Sequence, residues 1–408
     1  MSETLLMTPL TLPSGVIIKN RLLKSAMSEA MGDAEHHPNE RYEHLYKVFA
    51  QGGTGLVVTG NVMIDRTALG EPGNVVLDEH SDLEAFKRWA KAGTINQTAL
   101  WMQLNHPGKQ SPRFLSKTPV APSAVPLQGN YRRFFNPPRA LTLEEIKQLI
   151  KQFAYAAQRA KEAGFSGVQI HAAHGYLISQ FLSPRQNQRQ DIYGGSEKNR
   201  QRFLLDIYHA MREAVGEEFP IGVKLNSQDF EPDGFDETAS LNVIQALDKA
   251  GIDLIEISGG NYEKPVMSTG QTSENDVFFL PFASKVRPHI TAPLVITGGF
   301  RAVDVMEEAI KQHQPAMIGL GRPLALDPKI PQKIQEGDYQ TMKIERLTTG
   351  FKSLDKKFGP IIGNSYYEQQ LRRLAEGKAV KRTRNAWGPI LKTAWDHGPK
   401  SLFRRSQK

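Results

Sequence analysis

Residues 142–171 read TLEEIKQLIKQFAYAAQRAKEAGFSGVQIH, and this stretch carries both periodicities that decide the fold. Thr142 and Glu145 have the spacing of a capping box, in which each side chain satisfies a free amide of the first helical turn. The apolar residues that follow recur on one helical face as far as Gly164. Two residues later comes GVQI, an apolar run typical of a strand that is buried on both faces. The stretch therefore predicts a helix followed directly by a buried parallel strand.

Seven further apolar segments of similar length occur along the chain, most of them followed by a helical pattern. Two of these helical patterns stop at Gly216 and Gly251 and run straight into the next strand. Strands that alternate with helices form parallel βαβ units, and eight such units predict a closed (β/α)8 TIM barrel. The predicted strands are 22–25, 55–59, 99–104, 167–171, 221–225, 254–258, 294–297 and 316–319.

Other segments lie outside the repeating units. The sequence TLPSGVIIKN, residues 11–20, predicts an N-terminal hairpin with its turn at Ser14–Gly15, placed to plug the bottom of the barrel. The proline-rich stretch 105–141 follows the third barrel strand, and a loop of that length is usually functional, for example as a lid. We therefore divide the chain into a barrel over residues 1–340 and a basic C-terminal extension over residues 341–408.

The composition excludes several classes of protein. Of the 408 residues, 39% are hydrophobic and 23% are charged, which is typical of a globular protein. The chain has no apolar run long enough to cross a bilayer and no signal-peptide pattern, so we expect a cytoplasmic protein. The absence of cysteine excludes disulfides, thiolate nucleophiles and cysteine-ligated iron–sulfur clusters.

The net charge of +8 is concentrated in the extension, which has 16 basic and 5 acidic residues and therefore carries +11, against −3 for the rest. An electrostatic partner should accordingly bind there. Ser365 and Glu368 have capping-box spacing and predict the start of a helix. We favour packing of the extension on the barrel or on a second subunit, while binding to a membrane surface or polyanion and disorder stay open. Cations in residues 381–405 are interleaved with Trp387, Ile390, Leu391, Trp395, Leu402 and Phe403.

Barrel enzymes place their active sites at the C-terminal ends of the strands. His171 ends the fourth predicted strand, and His174 and Tyr176 follow within five residues. Two imidazoles can donate to one oxygen and polarise a carbonyl, and a nearby phenol can supply a proton. The alternatives are a pair of structural histidines near a turn or a metal site, although no further ligand residue accompanies the pair closely.

The last two predicted strands both end in glycines, at Gly298–Gly299 and at Gly319 and Gly321, and Arg322 follows. Glycines in these positions allow backbone amides to approach a phosphate, which is the common phosphate site of such barrels. Arg322 would add a charge-assisted contact. These residues predict a phosphate-binding corner.

Residues 171–200, HAAHGYLISQFLSPRQNQRQDIYGGSEKNR, resemble the signature of the Old Yellow Enzyme family of FMN-dependent ene-reductases. The resemblance covers about residues 5–338. It implies non-covalent FMN, with NADH or NADPH as the reductant, and no metal. The residues that the resemblance and the glycine turns together place at the cofactor are Ser25, Ala26, Met27, Ser28, Gly60, Gln103, Lys224, Gly298, Gly299, Gly321 and Arg322.

Three of these positions have implied roles of their own. Ser28 takes the place of a Thr or Cys that hydrogen-bonds the flavin ring and tunes its potential. Gln103 would bind the pyrimidine edge, because an amide offers both a donor and an acceptor. Lys224 stands where the family more commonly has arginine. A lysine keeps the positive charge near flavin N1 but loses the bidentate fork of the guanidinium group.

The resemblance implies a ping-pong cycle on α,β-unsaturated carbonyl compounds. His171 and His174 would bind the substrate oxygen while hydride moves from the flavin to the β-carbon, and Tyr176 would protonate the α-carbon. Substrate contacts are expected from residues 105–141 and 261–276.

Three other functions are alternatives to an ene-reductase. The tRNA dihydrouridine synthases are flavin barrels that use a cysteine as the acid. This chain has no cysteine, so we expect no nucleic-acid partner. Aldolase-type barrels often need a Schiff-base lysine or paired carboxylates, and the histidine–tyrosine set fits them poorly. A flavin-binding protein recruited to a surface through its basic tail is the non-catalytic alternative, and a homo-oligomer stays open.

Overall fold

The fold is a closed barrel of eight parallel strands, in a computed structural model that describes residues 4–265, 277–313 and 315–396. The strands are β1 (Leu10–Thr11), β2 (Ile17–Ile18), β3 (Leu22–Lys24), β4 (Leu56–Met63), β5 (Ala99–Asn105), β6 (Val120–Ala121), β7 (Arg139–Ala140), β8 (Gly167–Ala172), β9 (Ile221–Asn226), β10 (Leu254–Ser258), β11 (Leu294–Thr297) and β12 (Met317–Leu320). Around the barrel the order is β3–β4–β5–β8–β9–β10–β11–β12, and β12 pairs with β3 to close the ring.

Helices surround this barrel. They are α1 (Glu40–Gln51), α2 (Leu83–Gly93), α3 (Leu143–Glu162), α4 (Leu177–Leu182), α5 (Glu197–Val215), α6 (Glu237–Ala250), α7 (Leu280–Val286), α8 (Val303–Glu308), α9 (Arg322–Leu326), α10 (Ile330–Glu336), α11 (Lys352–Ala375) and α12 (Trp387–Asp396). In the described part of the chain, no helix is both long and apolar enough to span a bilayer.

All eight predicted strands are present, and the predicted barrel is confirmed. The main difference is β4, which was predicted to end at Thr59 but continues to Met63. Its last residues pair with β5 as far as Asn105 after an irregularity between Val58 and Asn61. This pairing with a neighbouring strand extends β4 through the glycine at which the sequence pattern stops.

The local signals at the helix ends are also confirmed. Thr142 Oγ1 accepts from the Glu145 amide at 3.2 Å, and Glu145 Oε2 accepts from the Thr142 amide at 2.8 Å. Helices α5 and α6 end at Gly216 and Gly251, whose φ angles of 79° and 88° lie in the region that favours glycine.

The N-terminal hairpin is formed by β1 and β2, which pair antiparallel as predicted. Its buried Leu12 and Ile18 pack with Trp101, Leu254 and Met317 in an apolar cluster inside the barrel. Leu254 and Met317 are the first residues of β10 and β12, so the hairpin closes the end of the barrel opposite the strand C-termini.

The C-terminal extension differs from its prediction in one respect. The helix predicted around Ser365 and Glu368 is present as α11, but it begins at Lys352, so only its predicted start is wrong. Tertiary packing decides this, because Ile362 and Leu371 are buried in a helix that the glycines of its first half would not favour alone. In α12, Trp387 Nε1 donates to the Thr349 carbonyl at 2.9 Å.

The remaining apolar residues of the extension are only partly accounted for. Leu391 is 66% exposed. The side chain of Trp395 and the residues Leu402 and Phe403 lie outside the part of the chain that the structure describes.

Candidate active site

A buried ion pair connects β9 and β10 inside the barrel. The strand register places Lys224 beside Glu256, with Nζ 3.2 Å from Oε1, and the side chains are 4% and 0% exposed. Lys224 also donates to Ser25 Oγ at 2.9 Å, and Ser25 donates to Glu256 at 2.6 Å. Burial acts to raise the pKa of Glu256, but Lys224 and the hydrogen bonds that the carboxylate accepts outweigh it, and the net shift is downward. Glu256 is therefore an ionised partner of Lys224.

Gln103 belongs to the same network. Its Nε2 donates to Gln169 Oε1 at 2.7 Å, and Gln169 Nε2 donates to Glu256 Oε2 at 2.8 Å. The Thr297 hydroxyl donates to the other oxygen of Glu256 at 2.7 Å. Because these side chains are largely buried, each hydrogen bond offsets the cost of removing a polar group from water. The network holds the Gln103 amide in one orientation.

His171, His174 and Tyr176 lie together after β8. The His171 ring centroid is 5.1 Å from that of His174 and 4.8 Å from that of Tyr176. His174 has a left-handed backbone with φ 61°, and its amide donates to Asn226 Oδ1 at 3.1 Å. This turn brings the second imidazole back beside the first. The structure thus gathers the three predicted catalytic residues in one cluster.

The electrostatic surroundings keep all three groups uncharged at neutral pH. Burial, followed by the neighbouring His174 and Lys224, holds the pKa of His171 well below its usual value. Burial, followed by Lys224, lowers the pKa of His174 to about 3. Burial, followed by Tyr262, raises the pKa of Tyr176 well above its usual value. Two neutral imidazoles and one intact phenol offer N–H and O–H donors without a formal charge.

Two further residues complete this cluster: Ser258, which was not predicted, and Tyr262, which lies within the predicted substrate loop but was not singled out there. Ser258 Oγ lies 2.7 Å from His174 Nε2, and the Tyr262 hydroxyl lies 3.0 Å from that of Tyr176. Ser258 ends β10 and Tyr262 lies four residues on, so the strand-end rule used for His171 would have found both. Residues 266–276 of the predicted substrate loop lie outside the described residues.

The residues after β3 turn in different directions. Ser25 faces Glu256, and Ala26 packs against the apolar cluster inside the barrel. Met27 Sδ lies 3.6 Å from where a side chain on Gly321 would begin, which brings the ends of β3 and β12 together. Ser28 donates to the carboxylate of Glu71.

Gly60 is required by a close contact within the chain. A side chain at this position would overlap the Glu29 carboxylate and would lie 2.6 Å from the Met27 carbonyl. The Gly60 amide donates to Glu29 Oε1 at 3.1 Å, and Glu29 pairs with Lys24 at 3.8 Å. These contacts with Glu29 and Met27 account for the glycine by themselves, whereas the family resemblance placed Gly60 at the cofactor.

The predicted phosphate corner contains an additional cation. Gly298 and Gly299 have φ angles of 108° and 95°. Among the described residues, apart from its two chain neighbours, no atom lies within 4 Å of the Cβ position at Gly298. Arg301 lies two residues after Gly299, and burial, then the nearby Arg322, lower its pKa to about 10. The two guanidinium groups repel each other, and a bound anion would relieve that repulsion. Arg301 was not predicted from the sequence, although its position so close to the glycine pair marked it as a candidate.

The residues present fit FMN. The two arginines and the open Gly298 turn suit its phosphate, while Gln103 and Lys224 suit the donors and acceptors of the pyrimidine edge. In the part of the chain that the structure describes, His171 Nδ1 is buried without a hydrogen-bond partner. A buried polar atom of this kind points to a ligand beside it.

Comparisons with known proteins show the family to which the chain belongs. The sequence profile described as the NADH:flavin oxidoreductase / NADH oxidase family matches residues 5–341. The chain is 37% identical over 353 residues to NADH-dependent flavin oxidoreductase iliE of Neonectria sp. (strain DH2), covering 79% of this chain. It is 37% identical over 363 residues to the protein of the same name from Hypocrea jecorina (strain QM6a), covering 82% of this chain.

The two relatives differ in length. The match spans 46% of the Neonectria protein and 90% of the Hypocrea protein. Among solved structures, an old yellow enzyme homologue from Zymomonas mobilis is similar with a TM-score of 0.71 and 26% identity, covering 83% of this chain and 94% of that one. Both the family and the barrel type are therefore shared with flavin oxidoreductases.

Proposed function

Because this chain belongs to the NADH:flavin oxidoreductase / NADH oxidase family, we propose that it reduces the C=C bond of α,β-unsaturated carbonyl compounds. FMN is the cofactor of the family, and NADH or NADPH is the reductant. When bound, the flavin passes hydride from the nicotinamide to the substrate. The observation that carries the proposal is the cluster of neutral His171, neutral His174 and protonated Tyr176 beside the Lys224 network.

The side chains divide the work as follows. His171 and His174 bind the carbonyl oxygen, whose negative charge grows as the β-carbon accepts hydride. Neutral imidazoles donate hydrogen bonds to this oxygen without giving up a full proton. Tyr176 then delivers its phenolic proton to the α-carbon, and Tyr262, 3.0 Å from it, positions the hydroxyl.

The phosphate corner and the barrel interior hold the cofactor. Arg301 and Arg322 bind the phosphate, while Gln103 and Lys224 hold the pyrimidine edge through the network centred on Glu256. At this edge, the Lys224 cation would stabilise negative charge on the reduced ring.

A visible spectrum tests the function. The purified protein should show a flavin spectrum that NADH or NADPH bleaches under anaerobic conditions and that cyclohexenone restores. Chromophore released by heat should run as FMN. Recovery of FAD, recovery of no flavin, or a bleached spectrum that no enone restores would each refute the proposal.

We expect His171→Ala and His174→Ala each to weaken binding of phenols, which mimic the enolate oxygen. A hydrogen bond to a charged oxygen is worth about 1.5–3 kcal/mol, so the dissociation constant should rise by roughly ten- to a hundredfold. Phenolates stacked on FMN give a long-wavelength charge-transfer band, and titration of this band measures the affinity. The exposed His80→Ala variant is the control and should bind phenols as the wild type does. Undiminished affinity in both site variants would show that the imidazoles do not bind the oxygen.

A further inference from the structure

A turn formed by residues 261–264 lies between the proposed catalytic cluster and the loop of residues 105–141. Its Tyr262 hydroxyl lies 3.0 Å from that of Tyr176, and the two ring centroids are 5.9 Å apart. The Tyr262 ring also packs against Phe135 of the loop, with ring centroids 6.1 Å apart. The hydroxyl that contacts the proposed proton donor is therefore only as well placed as this short turn.

The turn has a defined internal shape. Asn261 Oδ1 accepts from the amides of Glu263 and Lys264 at 2.8 and 2.9 Å, and the Asn261 amide donates to the Lys264 carbonyl at 3.0 Å. Asparagine favours such turns because its side chain can replace a backbone partner. Asn261 also forms a parallel bridge with His174. These bonds shape the turn and place it beside His174, but they do not connect it to the loop.

The side chain of Glu263 makes the connection to the loop. Its Oε1 accepts from the Gln128 amide at 3.0 Å and lies 3.9 Å from Lys109 Nζ, and both of these residues belong to the loop. Its Oε2 lies 3.7 Å from Arg185 Nη2, in the segment after α4. The side chain is only 7% exposed. A carboxylate removed from water needs donors within the protein, and here they come from two separate segments.

The two cations near Glu263 have further partners. Lys109 donates to Gln186 Oε1, and Arg185 Nε lies 4.0 Å from Glu231 Oε2. The same Glu231 oxygen accepts from Asn261 Nδ2 at 3.0 Å, so the network returns to the turn where it began. Because two carboxyl groups face two cations, removal of one carboxylate leaves a cation without its counter-charge.

We propose that Glu263 is a positioning residue, which fastens the 261–264 turn to the loop of residues 105–141 and thereby keeps the Tyr262 hydroxyl at hydrogen-bond distance from Tyr176. The carboxylate acts through its neighbour in the chain and not on the substrate. This inference rests on the proposed function, since it takes Tyr176 to be the proton donor.

A double-mutant cycle tests whether Glu263 acts through Tyr262. The measured quantity is the limiting rate at which a saturating enone oxidises the reduced flavin, followed by stopped-flow absorbance. Glu263→Ala should lower this rate by roughly three- to thirtyfold, a range expected for coupled neighbouring residues. In the Tyr262→Phe background the same substitution should change the rate by less than about twofold, because the hydroxyl that Glu263 positions is already absent. A purely structural role would lower the rate equally in both backgrounds.

Two further variants separate positioning from a general loss of stability. Glu263→Gln keeps an oxygen that can accept from the Gln128 amide but removes the charge, so its effect should lie between those of the wild type and Glu263→Ala. Asp253→Asn is the matched control, because it disrupts a buried 2.7 Å ion pair with Arg212 at the opposite end of the barrel. It should lower the melting temperature and leave the limiting rate unchanged.

Limited proteolysis provides a readout that needs neither flavin nor enone. Arg132 and Arg133 are exposed in the same loop. Trypsin should cleave after these arginines roughly three- to thirtyfold faster in Glu263→Ala than in the wild type, the factor expected when one hydrogen bond to a partly exposed charge is lost. Mass spectrometry of the fragments identifies the cleaved bond. Asp253→Asn should be cleaved there at the wild-type rate.

Equal losses of rate in the two backgrounds, or no loss in Glu263→Ala, would overturn the proposal. A change confined to the enone concentration at half-maximal rate would overturn it as well, since Glu263 would then be a substrate contact. Unaltered cleavage of Glu263→Ala, or equally fast cleavage of Asp253→Asn, would have the same consequence. A wild-type protein whose reduced flavin no enone oxidises would instead refute the proposed function, and the cleavage measurement would still show whether Glu263 fastens the loop.

Discussion

Lys224→Met is expected to lower the free energy of unfolding by about 3–5 kcal/mol, because it leaves Glu256 as a buried charge without its ion-pair partner. The ammonium lies 3.2 Å from the carboxylate, and neither group is more than 4% exposed. Ser25, Thr297 and Gln169 would still donate to Glu256, but hydrogen bonds alone do not supply the missing positive charge. Urea denaturation monitored by circular dichroism measures the loss.

Two further variants separate charge from packing. In Lys224→Met/Glu256→Gln the buried charge is gone and much of the lost stability should return, whereas Lys224→Arg keeps the charge and should lose less than Lys224→Met. The FMN-bound fraction of Lys224→Met should also have a lower reduction potential. A Lys224→Met protein as stable as the wild type would show that Glu256 takes up a proton at little cost. An unchanged potential would show that the ammonium does not act on the flavin.

Tyr176→Phe is expected to slow the oxidation of reduced flavin by an enone by roughly 10²–10⁴-fold, the range typical of a lost general acid. Reduction of the flavin by NADH or NADPH should be nearly unchanged, because that half-reaction needs no proton donor. Stopped-flow absorbance of each half-reaction measures both effects. The phenol is protonated throughout the neutral range, since burial and Tyr262 raise its pKa well above the usual value.

Tyr262→Phe is the matched control for this prediction. It keeps the ring but removes the hydroxyl that lies 3.0 Å from the Tyr176 hydroxyl, so a positioning effect smaller than that of Tyr176→Phe is expected. Equal loss of both half-reactions in Tyr176→Phe would assign Tyr176 a structural role. Full retention of enone reduction would assign proton delivery to water or to another residue.

The interactions that sequence analysis predicted well are local ones. The Thr142 capping box and the ends of α5 and α6 at glycine depend on residues within a few positions of each other. The spacing of these residues in the sequence therefore predicts them directly. The buried parallel strands appear as apolar runs because both of their faces are covered. His171 and Tyr176 were found by the same logic, since the end of a barrel strand is the place where chemistry occurs.

Polar residues inside apolar strands were the missed signal in the barrel interior. Gln169 in GVQIH and Glu256 in LIEIS are buried, and burial of a polar group is costly unless a partner compensates it. Their presence in such strands indicated a network, but the identity of the partners depended on strand register and barrel closure. Only the folded barrel brings Ser25 from β3 and Thr297 from β11 to the same carboxylate.

The sequence by itself determined the barrel, the proposed catalytic cluster after β8 and the glycines of the proposed phosphate corner, because each is encoded by periodicity or by spacing within one segment. The tertiary structure alone decided which residues compensate the buried charges and what the C-terminal extension contacts. Helix α11 begins thirteen residues before its apparent capping signal, and its Arg372 Nη2 lies 3.4 Å from the carbonyl of Ala30, near the other end of the chain. Contacts over that separation depend on packing between whole elements, because this packing offsets the entropy lost when distant segments come together. Such contacts leave no short-range pattern in the sequence.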